Sequence, residues 1–397
     1  MKYPFIFFVL LLSLNAYCAP YKNLNIYLDA DQTNAITSGE AIYRGMLTAL
    51  SEHDYQIQGI PIAVIKKDHR GSSPRSLAHL KQFLKDDLAI SVFSGLHSPP
   101  LLANKQFINN NKILMLDPWA AAGPITRTEG GNWIFRLSID DSKAGGVITQ
   151  SALNEGFKFP YLLLEDTGWG KSNHKTINTT LTKHNHLPAS VTWFKWGLSL
   201  NNAKIILRNI ANSGADVIFL VANSPEGKTF ANAMLELPLK HQLPIRSHWG
   251  ITGGDFPESI GPENLKKIDL QFIQTSFSFF KPNDFSNKVL KQAQSIFDDI
   301  QGPADIKAPS GFIHGYDLMK LWISASNHIK FSGNIQQDRL LLKQSLENLI
   351  TPVQGLIKTY QHPFSNNPND IDAHEALNAS DFVMGFYDIN GVIKNIE

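Results

Sequence analysis

Short apolar runs alternate with amphipathic stretches from about residue 24 onward. This alternation is typical of a parallel β-sheet covered by helices, because both faces of each strand are then buried. The first strand is predicted at 24–28, and the following helix begins with Thr37 and Glu40 at capping-box spacing. A second helix is expected to begin at Ser73-Pro74, where a cap precedes a proline. The same alternation predicts further strands at 60–65, 88–93, 112–116, 134–137, 161–164, 191–194, 216–221 and 245–248.

The number of predicted strands is larger than one open parallel sheet usually contains. The sequence therefore favours two Rossmann-like lobes with parallel sheets. The chain is expected to change lobes near Ser138 and again near 275–278, so that several short crossovers form the hinge. Helices are predicted at 283–300, 311–330 and 338–349, and Asn390-Gly391 marks the turn of a terminal hairpin. The predicted fold class is α/β, with lobe I at 20–138 plus 276–380 and lobe II at 139–275 plus 381–397.

Residues 1–19 have the pattern of an export signal peptide. Lys2 precedes an apolar stretch at 5–14, which is too short to span a bilayer, and small residues follow it. Cleavage after Cys18 and cleavage after Ala19 are both consistent with this pattern. Periplasmic localisation is therefore expected.

The charge balance and the cysteine content exclude several classes of function. Lys and Arg total 36 against 35 Asp and Glu, with no long basic run, which disfavours nucleic acid or an anionic membrane as the main partner. The single cysteine, Cys18, excludes an internal disulfide and any metal site built on several cysteines. No cofactor and no metal are predicted.

Motifs that would indicate other chemistry are incomplete or absent. Gly170-Lys171-Ser172 resembles the end of a phosphate loop, yet Glu165 occupies the position where the first glycine is required. No Gly-x-Ser-x-Gly or His-Glu-x-x-His motif is present, and no catalytic residue is predicted. His97 with Ser98 is the nearest candidate for a base and nucleophile pair, so an exported hydrolase stays an alternative.

Unusual polar and aromatic residues follow the predicted strands, where ligands bind in open α/β sheets. Three of the seven tryptophans lie at such strand ends. Indole faces stack on apolar solutes and attract cations, and Asp117 and Asp166 could pair with an amine, so a neutral or cationic small molecule is favoured over a phosphate. The candidate ligand-binding residues are His97, Ser98, Asp117, Trp119, Ala120, Ala121, Asp166, Trp169, Asn223, Ser224 and Trp249.

The order of several segments resembles the type I periplasmic solute-binding proteins, in the branch of the leucine and branched-chain amino-acid binding proteins of ABC importers. The similarity covers nearly the whole chain after residue 19. The segments that carry it are Gly39 and Gly45 in the early helix, Ile113-Leu114-Met115-Leu116-Asp117-Pro118-Trp119-Ala120-Ala121, Phe135-Arg136-Leu137, Asp140-Asp141-Ser142, Asp166 with Trp169-Gly170, and Gly315-Tyr316-Asp317.

The resemblance implies a two-lobed clamp that closes on one solute and is recognised by a membrane partner. It implies that Ser98 contacts the ligand carboxylate and that Trp169 acts as an aromatic lid. Ala121 and Trp249 occupy positions where the relatives have a Thr and an acidic residue, which argues against a standard α-amino-acid ligand. The expected partner is an ABC permease in the inner membrane, with a sensor receptor as the alternative, and the protein is expected to be a monomer.

Overall fold

A computed structural model describes residues 20–128 and 131–396 of the chain. The predicted signal peptide at 1–19 lies outside the described residues. Two large sheets, each covered by helices, account for the architecture. The expected α/β fold with two mostly parallel sheets is confirmed.

The first sheet is built from the first third of the chain. Its strand order is β2-β3-β1-β4-β5-β6, and its neighbours are parallel except for the β2–β3 pair. The strands are β1 (Leu24–Ala30), β2 (Gln56–Ile57), β3 (Ile60–Asp68), β4 (Ala89–Ser94), β5 (Met115–Asp117) and β6 (Ile134–Arg136).

The second sheet combines a central stretch of chain with the carboxyl-terminal hairpin. It contains β7 (Pro160–Glu165), β8 (Ser190–Phe194), β9 (Val217–Val221), β10 (Ile245–Ser247) and β11 (Leu270–Thr275). A short ribbon of β12 (Val353–Gln354) and β13 (Thr359–Tyr360) intervenes before β14 (Phe382–Tyr387) and β15 (Ile393–Asn395). The order is β15-β14-β11-β10-β9-β7-β8, with β14 and β15 antiparallel, so the predicted terminal hairpin is confirmed.

Helices connect the strands and cover the sheets. They are α1 (Ile36–Ser51), α2 (Ser73–Lys85), α3 (Ser98–Asn110), α4 (Asp141–Asn154), α5 (Gly168–Lys183), α6 (Leu200–Asn212), α7 (Ser224–Leu235), α8 (Phe256–Ile260), α9 (Pro262–Leu265), α10 (Asp284–Ile296), α11 (Pro309–Asn327) and α12 (Ile335–Glu347). Among the residues described, none of the helices is long and apolar enough to cross a membrane.

Some local predictions differ from the structure. Helix α1 begins at Ile36 after Ala35, with no side-chain cap, and Glu40 instead forms ion pairs with Arg44 and Lys66. Helix α2 is capped one residue earlier than expected, because the Ser72 side chain accepts from the Arg75 amide. Strand β11 was not predicted and ends where the crossover at 275–278 was expected.

Helices α1 and α11 pack closely because glycines remove side chains at their crossing. A Cβ on Gly45 would lie 2.1 Å from the carbonyl oxygen of Phe312, and one on Gly315 would lie 2.6 Å from that of Ile42. Glycine at both positions therefore allows the two backbones to approach.

Candidate functional site

The strand order places a switch point in each sheet, and the two switch points face one cleft. In the first sheet the order reverses between β1 and β4, and in the second between β7 and β9. Ligands bind beyond the carboxyl ends of strands at such points. Asp31 follows β1, His97 follows β4, Glu165 ends β7 and Asn223 follows β9.

A small cavity, here called the inner cavity, lies between these strand ends. Both sheets contribute to its lining, which consists of Leu96, His97, Ser98, Pro99, Trp119, Ala121, Glu165, Trp169, Asn223, Trp249 and Gly250. The space open to the centre of a water molecule is about 10 Å³, which is room for one water.

Three tryptophans, Trp119, Trp169 and Trp249, line the inner cavity. Trp119 and Trp249 are buried, and their ring centroids are 5.8 Å apart at an angle of 55°. Trp169 donates from Nε1 to Asp141 Oδ1 over 3.2 Å, and its ring meets His248 edge-on at 5.0 Å. The three predicted tryptophans therefore come together.

A buried polar cluster behind the cavity fixes Trp169. Asp141 Oδ1 accepts from Trp169, from Asn173 Nδ2 at 2.8 Å, and lies 3.1 Å from His248 Nε2. Burial raises the pKa of Asp141, and the hydrogen bond with His248 reduces that rise. These residues were not predicted as part of the site.

Asp117 and Ala120 lie behind the wall and do not line the inner cavity. Asp117 Oδ1 accepts from Ser94 Oγ (2.9 Å) and from the amides of Trp119 (3.1 Å) and Ala120 (2.8 Å). Burial raises the pKa of Asp117 to about 7. Asp117 thus holds the loop that carries Trp119, and an amine is not its partner here.

Asp166 is exposed, and the adjacent Glu165 lines the inner cavity instead. Glu165 Oε2 accepts from Asn223 Nδ2 at 3.2 Å, whereas Oε1 is buried with no hydrogen-bond partner among the described residues. Burial raises the pKa of Glu165, and the nearby Trp196 and Thr167 side chains reduce that rise. The acid of this strand end is Glu165, so the placement of Asp166 is corrected.

His97 and Ser98 do not form a base and nucleophile pair. His97 Nε2 lies 3.3 Å from Asp31 Oδ2, and its Nδ1 has no hydrogen-bond partner in the part of the chain that the structure describes. Ser98 Oγ accepts from the Ala122 amide at 3.2 Å. Burial raises the pKa of Asp31, but hydrogen bonds from His97 and Asn34 outweigh it and lower that pKa well below its usual range.

A larger cavity, here called the outer pocket, adjoins the inner cavity and shares Leu96, His97 and Asn223 with it. The space in it open to the centre of a water molecule is about 400 Å³. Ser224, predicted as a ligand contact, lines this pocket. The other lining residues are Asp31, Asn34, Ala35, Arg70, Gly71, Trp196, Pro225, Glu226, Lys228, Gly253, Gly254 and Asp255.

Sequence reasoning missed Trp196, although the strand-end rule could have found it. Trp196 follows β8 by two residues, in the position relative to its strand that selected the other tryptophans. Arg70 also borders the outer pocket and was not among the predicted ligand-binding residues.

Comparison with known proteins is consistent with this architecture. The family model described as "Periplasmic binding protein" matches residues 28–348, which is most of the chain. A comparison with curated protein sequences gives no significant match.

Solved structures share the fold at low sequence identity. A periplasmic binding protein type 1 from Bordetella pertussis Tohama I is 15% identical with a TM-score of 0.77, covering 94% of this chain and 100% of that one. A leucine binding protein from Thermotoga maritima MSB8 is 15% identical with a TM-score of 0.73, covering 94% and 98%.

A third solved structure is an ABC transporter solute binding protein from R. palustris in complex with 4-hydroxybenzoate. It is 16% identical with a TM-score of 0.74, covering 94% of this chain and 96% of that one. The matched family is one of binding proteins and not of enzymes. The chain belongs to the periplasmic binding protein family and has its type I fold, as the sequence resemblance implied.

Proposed function

We propose that the protein captures a small solute between its two lobes and delivers it to an ABC importer. The observation that carries this proposal is the meeting of side chains from both switch points, His97 and Asp31 from one sheet and Glu165 and Asn223 from the other. Neighbours with the same fold include a leucine binding protein and a protein that binds 4-hydroxybenzoate. They support a solute of amino-acid-like, aromatic or amine character.

The lobes that close on the solute are proposed to be 20–138 with 276–380, and 139–275 with 381–397. The strands of the first sheet all lie in the first set, and those of the second sheet all lie in the second set. This division supports a hinge of several short crossovers, at which one lobe rotates against the other. Export to the periplasm by the segment 1–19 belongs to the same proposal.

A thermal-shift screen of the purified protein tests solute capture. The library contains amino acids, aromatic acids, amines and amides. A solute present at about 100 times its dissociation constant should stabilise the folded state by about 2.7 kcal/mol. A concentration-dependent rise in Tm for one class is expected, and the absence of a rise for any class would contradict solute capture.

The importer role has an independent test in the neighbourhood of the gene. Genes for a permease and an ATPase are expected beside it. A gene for a membrane sensor in their place would contradict delivery to an importer and favour presentation of the solute to a signalling receptor.

A further inference from the structure

The inner cavity has no room for a solute in this arrangement. Its space of about 10 Å³ holds one water, whereas a cavity of about 150 Å³ is needed for a molecule the size of benzene. Trp119 and Trp249 fill the region between the strand ends, at 0% and 1% exposure.

These indoles are held as core side chains. A Cβ on Gly311 would lie 2.4 Å from Trp119 Cζ3, and a Cβ on Gly250 would lie 2.7 Å from Trp169 Cη2. Each of these two rings thus packs directly against the backbone of a glycine. Trp249 also packs on His314 at 5.1 Å and on Phe382 at 6.3 Å. Displacing these three indole rings would disrupt the packed core, so the rings do not act as a lid.

The open volume lies instead in the outer pocket, under Trp196. This indole is 44% exposed, and its ring centroid is 5.6 Å from that of His97 across the cleft. The Gly197 amide donates to Glu226 Oε1 at 3.0 Å, which fixes the loop that carries Trp196. An exposed indole on a fixed loop offers a flat face to a solute.

The two cations beside the outer pocket already have acidic partners. Arg70 Nε lies 3.2 Å from Asp68 Oδ2, and Lys228 Nζ lies 2.6 Å from Asp255 Oδ1. Asp31 is paired with His97. The carboxylate of Glu226 lines the pocket, so the wall has an excess of acceptors.

Three buried polar atoms near the junction of the two cavities have no partner among the described residues. They are Glu165 Oε1, Ser224 Oγ and His97 Nδ1. Glu165 is 1% exposed and lines the inner cavity at its border with Asn223, which belongs to both cavities. A buried acceptor without a donor costs free energy that a donating ligand group removes.

We propose that the solute binds in the outer pocket and not in the inner cavity, with an aromatic ring on Trp196 and a protonated amine directed toward Glu226. The expected class is a small arylalkylamine, because an indole face and carboxylates both attract a cation. The inference rests on the proposed capture of a solute in the cleft. It adds the position and the charge of that solute.

Two probes that have the same phenyl ring but opposite charges test the proposed class of solute. Phenethylamine and 3-phenylpropanoate are titrated calorimetrically into the wild-type protein. Phenethylamine is expected to bind at least about tenfold more tightly, which corresponds to about 1.4 kcal/mol. Tighter binding of 3-phenylpropanoate, or binding of neither probe, would overturn the proposed class.

Matched variants test the position. Trp196→Ala is expected to weaken phenethylamine binding about tenfold, a loss of about 1.4 kcal/mol. The control is Trp193→Ala, because Trp193 is 36% exposed on β8 and lines neither cavity. It is expected to leave the affinity unchanged. Glu226→Gln retains an acceptor for the Gly197 amide. It is expected to weaken the binding of phenethylamine but not the binding of 3-phenylpropanoate.

Failure of this inference differs from failure of the proposed function. If Trp196→Ala binds like the wild type, or if Trp193→Ala loses as much affinity, the outer pocket is not the site, although solute capture stands. If another solute of the screen binds while both probes fail, only the amine class is wrong. If no solute binds at all, the proposed function itself is contradicted.

Discussion

A single buried carboxylate organises the loop that carries Trp119. Asp117 is 0% exposed, and one of its oxygens accepts three hydrogen bonds while Oδ2 has no partner among the described residues. Burial raises the pKa of Asp117 to about 7. The folded state therefore binds a proton that the unfolded chain releases near pH 4.

Asp117→Asn should flatten the dependence of stability on pH. Because the folded pKa of Asp117 is raised, the contribution of this carboxyl to stability falls as the pH rises from about 4 to about 7, by roughly 1.4 kcal/mol per pH unit. Asn keeps an accepting oxygen and places an amide where the unpartnered oxygen lies. Urea unfolding at pH 5 and pH 8 should show a smaller difference for the variant.

The exposed Asp87 provides the control for this measurement. Asp87→Asn should retain the wild-type difference in stability between pH 5 and pH 8. An Asp117→Asn variant that loses as much stability over this range as the wild type would contradict the burial argument.

Neighbouring residues at strand ends were the least predictable part of the site. The sequence indicated that an acid follows the apolar run 161–164, but favoured Asp166, whereas Glu165 points into the cavity and Asp166 is exposed. Successive side chains of a strand point to opposite faces, so an error of one residue reverses the direction. The positions of Trp119, Trp169 and Trp249 were found because each of them follows a predicted strand, and all three line the inner cavity.

At the scale of elements, the crossing of α1 and α11 depends on the absence of side chains. Gly45→Ala should destabilise the protein by about 1–3 kcal/mol, since the new Cβ would meet the Phe312 carbonyl oxygen at 2.1 Å. Chemical denaturation measures the loss.

Gly146→Ala is the matched control for this crossing. Gly146 lies in α4, where a new Cβ would be 3.9 Å from the nearest atom, Thr180 Oγ1. The Gly146→Ala variant should be more stable than the wild type by up to about 1 kcal/mol, because Ala has a better helix propensity than Gly. Equal effects of the two substitutions would show that the crossing is not the cause.

A buried ion pair connects β6 to the segment near the carboxyl terminus. Arg136 is 0% exposed and donates from Nε to Glu375 Oε2 (2.9 Å) and from Nη2 to Oε1 (2.6 Å). Glu375→Ala leaves the guanidinium without this partner and should cost about 3–5 kcal/mol of folding free energy.

The exposed pair Lys307–Glu258 is the comparison for this buried pair. Lys307→Ala should change the free energy of unfolding by less than about 1 kcal/mol. Denaturant midpoints of the two variants measure the contrast, and a small effect of Glu375→Ala would contradict the structural role of the pair.

Apolar runs predicted most strands because buried parallel strands need them on both faces. Strand β11 escaped prediction because Gln271 and Gln274 interrupt its apolar residues. Gln274 is nevertheless buried, and its Oε1 accepts from Ser310 Oγ at 3.2 Å in α11. That partner is distant in the chain, so no local pattern could reveal it.

At the scale of the whole molecule, the chain passes between the two sheets after β6, after β11 and before β14. Segments that follow strands of the two sheets also contact each other beside the inner cavity. The Gly123 amide donates to Ser172 Oγ over 3.1 Å, and a Cβ on Gly123 would lie 3.2 Å from that oxygen. Gly123 follows β5 of the first sheet, and Ser172 lies in α5 after β7 of the second.

Locking this contact tests most directly whether a solute enters by separation of the lobes. The distance is short enough for a disulfide in a Gly123→Cys/Ser172→Cys variant, which has no other cysteine after residue 19. The variant is loaded with the tightest solute of the screen and then oxidised, and the dissociation rate is measured before and after reduction. Oxidation is expected to slow release at least about tenfold, a barrier increase of about 1.4 kcal/mol, and reduction is expected to restore the faster rate. Equal release rates in the oxidised and reduced forms would contradict a solute held between two separating lobes.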